Sequence, residues 1–173
     1  MPCKLQPWFV RTSAMLILSA GGAMAQDAEA PAQETSQANS SGWGVQCNNV
    51  AEDELRCAAT MTITSAENNQ AILSISLQEA PADASPTLIV QLPFGLDLPR
   101  GIDLVVDDGA SWTFEISTCL QTGCFVVNEA EQEMIDAMIG GGTLGVAMRA
   151  SNGAETRMNV TLSGFSRAFE RLE

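Results

Sequence analysis

The chain has 173 residues, enough for one domain with a proper core, and its eight basic against 21 acidic residues give a formal net charge of −13. Such a charge opposes binding to nucleic-acid phosphates and to anionic lipid heads, so neither partner is expected. Histidine and tyrosine are absent, which removes Ser-His-Asp and Cys-His catalysis, histidine general bases and histidine metal ligands.

Lys4 and Arg11 precede an apolar run from Ala14 to Ala20, which is followed by Ala23-Met24-Ala25. A basic n-region, a short apolar core and an A-x-A site predict that residues 1–25 are a signal peptide, cleaved before Gln26. The alternative, a membrane span from Trp8 to Ala25, is interrupted by Arg11 and Gly21-Gly22 and falls short of the roughly 20 apolar residues a bilayer requires. Cys3 lies far from the cleavage site, which argues against a lipid anchor. The expected location is therefore periplasmic or secreted, with no membrane span after cleavage. The remaining 148 residues carry six arginines against all 21 acids, a charge of −15.

Residues 26–41 are rich in Ala, Gln, Glu and Ser and hold no large apolar residue, so they read as a disordered linker. Residues 42–173 read as one folded domain beginning near Trp43. Arg56 to Ser65 and Ala71 to Leu77 alternate in hydrophobicity around the polar Glu67-Asn68-Asn69 turn and predict a hairpin. Glu79 to Pro86 is a loop, and Leu88 to Leu92 and Ile102 to Val106 are strands. Asp107-Asp108-Gly109 is a turn signal before a strand from Trp112 to Ile116, on which Trp112, Phe114 and Ile116 are expected to point inward. Asn128 and Glu131 have capping-box spacing ahead of an apolar stripe of Met134, Ile135, Met138 and Ile139, and Gly140 to Gly142 end this helix. Leu144 to Ala150 and Thr156 to Ser163 flank a second hairpin turn, Ser151-Asn152-Gly153-Ala154. The expected fold class is all-β, a sandwich of about seven to nine strands with one short helix.

Behind a signal peptide, Cys47, Cys57, Cys119 and Cys124 read as two disulfides. Four cysteines permit three connectivities. The hairpin-length Leu-Gln-Thr-Gly loop between Cys119 and Cys124 favours local pairing, since facing residues of antiparallel strands lie within disulfide range. A redox pair lacks C-x-x-C spacing and any lysine or histidine to lower a thiol pKa.

No metal site and no cofactor are expected. Glu52-Asp53-Glu54 and Asp103 with Asp107-Asp108 offer oxygen ligands, but neither has the alternating spacing and closing glutamate of a calcium loop. Met61, Met134, Met138, Met148 and Met158 sit in strand and helix patterns that predict core packing in place of a copper(I) cluster.

Trp43-x-x-x-Cys47, Leu92-Pro93-x-Gly95, Gly101-Ile102-x-Leu104 with Val106-Asp107, Cys119-x-x-x-Gly123-Cys124 and Leu162-Ser163-Gly164-Phe165-x-x-Ala168 appear in this order. Together, over about Gly42 to Leu172, they resemble the invasion-associated locus B family of small secreted alphaproteobacterial proteins. The resemblance implies an immunoglobulin-like β-sandwich and brings no catalytic residue, cofactor or ligand. The leading functional expectation is a non-enzymatic binding or interaction protein of the cell envelope, with a protein partner there and the oligomeric state left open. A flat apolar or aromatic patch, including Trp43 or Phe165, would favour it. The rival is a hydrolase or glycan-processing enzyme working with carboxylates alone, which needs two acids about 5–10 Å apart in a deep pocket.

Overall fold

The computed structural model describes residues 38–40, 42–51, 54–80 and 84–172. The predicted signal peptide and residues 26–37 of the predicted linker lie outside the described residues. Eleven strands among the described residues form two antiparallel sheets, more than the seven to nine expected. The large sheet holds β1 (Ala38–Ser40), β2 (Gly44–Ala51), β3 (Glu54–Ser65), β4 (Ala71–Gln78), β5 (Thr87–Leu92), β8 (Thr118–Leu120) and β9 (Gly123–Glu129). Its order is β1-β3-β4-β5-β9-β8, with β2 beside β1 on the same flank of β3. The small sheet, ordered β11-β10-β6-β7, holds β6 (Ile102–Val106), β7 (Ser111–Phe114), β10 (Thr143–Arg149) and β11 (Glu155–Thr161). β1 corrects the expected linker: its three residues pair with Ile63, Thr64 and Ser65 at the end of β3.

Alternation along the strands sorts each side chain to one face, because successive residues of a strand point to opposite sides. In the large sheet Met61, Ile75, Val90 and Val126 form one buried row across four strands. The small sheet contributes Ile102, Leu104, Val106, Leu144, Val146, Met148 and Val160 to the same core. β6 and β7 join through Asp107 and Asp108, both with positive φ (47° and 56°), the mirror-image turn that matches strand twist. The Asp107 carboxylate then accepts hydrogen bonds from the backbone N–H of Gly142 (2.7 Å) and Thr143 (2.8 Å), tying this turn to the start of β10.

The helix α1 (Gln132–Gly140) buries Met134, Ile135 and Met138 as expected, but its start and one face need correction. Asn128 does not cap it: the chain stays extended, pairing Asn128 with Leu88 and Glu129 with Thr87. Glu131 takes the cap position without a side-chain bond. Strand pairing here outweighs the local capping-box preference, since each further residue of β9 gains ladder bonds to β5. Ile139 is 44% exposed, outside the buried stripe.

A second helix, α2 (Phe165–Phe169), was not foreseen. It is shorter than two turns and its apolar residues fit a strand as easily as a helix. It packs against β2, β3 and α1. Phe165 is fully buried, stacks on Phe169 at 5.7 Å and meets Trp43 edge-on at 4.8 Å. The Trp43 Nε1–H donates to the Thr161 carbonyl at 2.8 Å. Trp112, Phe114 and Ile116 are only half-buried against the core. β7, the edge strand of the small sheet, ends at Phe114 and has a neighbour on one side only.

These contacts set the cost of three substitutions. Phe165→Ala should cost about 3–5 kcal/mol in chemical unfolding of the oxidised protein. The half-buried Phe114→Ala should cost no more than about 2 kcal/mol; equal losses would show that α2 does not close the core. Asp107→Ala strips two backbone donors of their acceptor and should cost about 1–2 kcal/mol in urea titrations. An unchanged midpoint would mean that water replaces those bonds without loss.

Candidate binding face

The residues singled out by sequence fall into scaffold positions. Cys47 bonds Cys57 and Cys119 bonds Cys124. Each pair is directly opposed across neighbouring strands, β2–β3 and β8–β9. The bridges therefore staple the two flanks of the large sheet and do not join one sheet to the other. Of the acidic candidates, Glu52 and Asp53 lie outside the described residues. Both Asp107 oxygens are taken by backbone N–H groups, Asp108 pairs with Arg157 at 3.0 Å, and Asp103 accepts from the Thr113 hydroxyl at 2.6 Å. Among the described residues no three His, Cys, Asp or Glu groups are arranged to hold a metal ion. Met61, Met134, Met138 and Met148 are buried in the core, with Met158 packed against it. Phe165 belongs to that core and the half-buried Trp43 packs against it, so these two residues do not build the aromatic patch that would have favoured a binder.

A depression of about 300 Å³ on the outside of the small sheet is lined by Arg100, Asp103, Arg149, Glu155 and Arg157 among others. Its charges answer one another. Arg149 and Glu155 face each other across the ladder at 2.5 Å, and Arg100 lies 3.9 Å from Asp103. Arg157 lies across Gly145, where any side chain would collide with it, and reaches out to Asp108. Asp103 and Glu155, the two acids a carboxylate enzyme would need here, stand on β6 and β11 with β10 between them and two residues out of register, about 12 Å apart across the sheet. Each is held by a different partner, so the arrangement is an exposed ion-pair lattice, and such pairs are worth about 0–1 kcal/mol apiece.

The outer face of the large sheet is chemically different. One row across it runs Thr60, Ser76, Ile89, Val127, and the next runs Thr62, Ser74, Gln91, Phe125, Thr118. Neither row carries a charge. The Thr60 and Ser76 hydroxyls bond each other at 3.0 Å, as do those of Thr62 and Ser74. Where β3 turns into β4, β5 ends and β8 turns into β9, this face runs into a groove of about 490 Å³. Its ten lining residues include Asn68, Gln70, Ile72, Gln91, Phe94 and Gln121, and none of the ten is charged. Phe94 is 60% exposed. Around it Asn68 and Gln70 brace each other (Nδ2 to Oε1, 3.1 Å; Gln70 N to Asn68 Oδ1, 3.0 Å), and Gln91 Nε2 donates to the Thr122 carbonyl at 2.9 Å. Sequence reading missed this site because its members come from three segments that are distant in the chain, residues 65–72, 91–94 and 121–122. The available signal was the parity of β3 to β5, whose positions between core residues include Thr60, Thr62, Ser74, Ser76 and Gln91.

Residues 43–173 match the family described as Invasion associated locus B (IalB) protein. An invasion protein B homolog of Brucella abortus strain 2308, and another of B. abortus biovar 1 strain 9-941, are each 28% identical over 162 residues, covering 93% of this chain and 90% of the relative. The crystal structure of invasion associated protein B from Bartonella henselae shares the fold, with a TM-score of 0.65 at 24% identity over 78% of this chain and 94% of that one. A two-sheet all-β domain matched from Trp43 to the last residue thus belongs to the invasion-associated locus B family.

Proposed function

We propose that this chain is a non-enzymatic binding module that works outside the cytoplasm, in the periplasm or beyond, and meets a component of the cell envelope through the outer face of its large sheet. One observation carries the reading: in a chain with 21 acidic residues, two full rows across this face hold only hydroxyl, amide and apolar side chains. A surface without charge can be covered by a partner without stranding an ion away from water, which is the dominant cost of burying a charged face. The carboxylates that could serve hydrolysis are committed to turns and ion pairs. The Brucella relatives are named as invasion proteins, in keeping with a role at the bacterial envelope. The export step rests on the signal pattern in residues 1–25.

A photo-crosslinking residue at Ser76, on this face, and another at Asn159, on the outside of the small sheet, should behave differently in intact cells. Adducts are expected from position 76 and not from 159, on a protein whose intact mass starts at Gln26. Adducts from 159 alone, or a retained leader, would overturn the reading. So would hydrolytic turnover that is lost in Asp103→Asn or Glu155→Gln.

A further inference from the structure

We propose that the groove between Phe94 and the Asn68–Gln70 turn binds a neutral oligosaccharide. The proposal deepens the reading of the uncharged face and rests on it. A sugar ring presents apolar C–H faces and an equatorial rim of hydroxyls, each both donor and acceptor. A matching site needs an exposed apolar platform, polar groups able to donate and accept, and no buried charge to desolvate.

The groove supplies each of these. Phe94 is the exposed platform, with Ile72 and Pro93 beside it. Asn68, Gln70, Gln91 and Gln121 line the same groove, and every such amide offers an N–H pair and a carbonyl on one rigid plane. Because Gln91 spends one N–H on Thr122, its carbonyl remains to accept. The bonds between Asn68 and Gln70 hold that turn in place, and the Cys119–Cys124 bridge closes the hairpin that carries Gln121. Less ordering is then left to occur on binding. At about 490 Å³ the groove falls within the range of about 300–1,000 Å³ typical of small-molecule sites.

Other ligand classes fit less well. An anion would find no cation in the lining and would approach against the charge of the whole chain. An extended peptide adding to the sheet needs a free strand edge, and β4 and β5, which floor this face, are paired on both sides.

Titration calorimetry on the exported, oxidised protein tests the proposal, using neutral tetrasaccharides of hexoses and N-acetylhexosamines, with uronic-acid and sulfated oligosaccharides as charged controls. Saturable binding to a neutral oligosaccharide is expected, and weaker binding to the charged ones. Phe94→Ala and Gln91→Ala should each weaken it by at least about tenfold with the melting temperature unchanged, while Asn159→Ala should leave it intact. The proposal fails if no neutral oligosaccharide binds up to about 10 mM, or if binding survives Phe94→Ala. It also fails if Phe94→Ala alters only self-association, which would mark the groove as a contact with a second copy. Crosslinks from position 76 that persist without oligosaccharide binding would reject this ligand and keep the face as a binding surface. Oligosaccharide binding without those crosslinks would keep the groove and reject the wider face.

Discussion

The inner face of the large sheet is the surface that the other elements are arranged to cover. Its buried rows cross β3, β4, β5 and β9, and the small sheet lies against them. The hydrophobic effect penalises whatever apolar area stays wet, at about 25 cal/mol per Å², so α1 and α2 complete the cover. Met134, Ile135 and Met138 from α1 and Phe165 and Phe169 from α2 join the core that both sheets share. Because α2 comes last in the chain and Trp43 first in the domain, their edge-on contact makes the two ends of the domain depend on each other. Loss of either end would uncover the same flank of β2 and β3.

Committing the inner face so fully leaves the outer faces free to diverge. On the small sheet, acids and arginines are interleaved so that the strands are held by paired charge. On the large sheet the same strand-forming requirement is met by threonine, serine and glutamine, which suit a pleated, half-exposed surface without bringing charge to it. The Thr60–Ser76 and Thr62–Ser74 bonds give that face an order of its own. Many of the described acidic residues lie in turns, on α1 and on the small sheet, as Asp107, Glu133 and Glu155 illustrate, while Glu129 stands on β9 beyond the two uncharged rows. A strongly acidic chain thus keeps two adjoining rows of this face free of charge.

Strand periodicity was the legible part of the fold. Leu73, Ile75 and Leu77, or Ile102, Leu104 and Val106, declare their buried face by simple alternation, and the Asp107-Asp108 turn is written in residues that tolerate positive φ. What escaped reading was decided by distant partners. Asn128 has the local chemistry of a helix cap, yet it lies opposite Leu88, and the ladder overrides the cap. Phe165 looks like one more strand residue until Trp43, over a hundred positions earlier, is seen to pack against it. Trp112 and Phe114 have the right face but an edge strand beneath them, so alternation gave their direction and could not give their depth. The candidate groove was invisible for a similar reason: Asn68, Gln91 and Gln121 become neighbours only through the register of β4 on β5 and of β5 on β9.

The residues that carry the family resemblance are, in the structure, residues that shape the backbone. Gly95, Gly101, Gly123 and Gly164 all have positive φ, from 69° to 143°. At Gly101 a side chain would run into the Phe114 carbonyl as well. Cys119 and Cys124 staple a flank, Trp43 and Phe165 lock the ends, and Asp107 holds a turn against β10. A signature made of such positions specifies a scaffold and says little about what the scaffold holds, since function is carried by sites placed on folds. Phe94 makes the distinction concrete: it occupies the unspecified position of Leu92-Pro93-x-Gly95, where the neighbouring proline and glycine set the path of the chain and leave the side chain exposed in the groove. On the reading proposed above, a change at that one position would alter the groove and leave the framework standing.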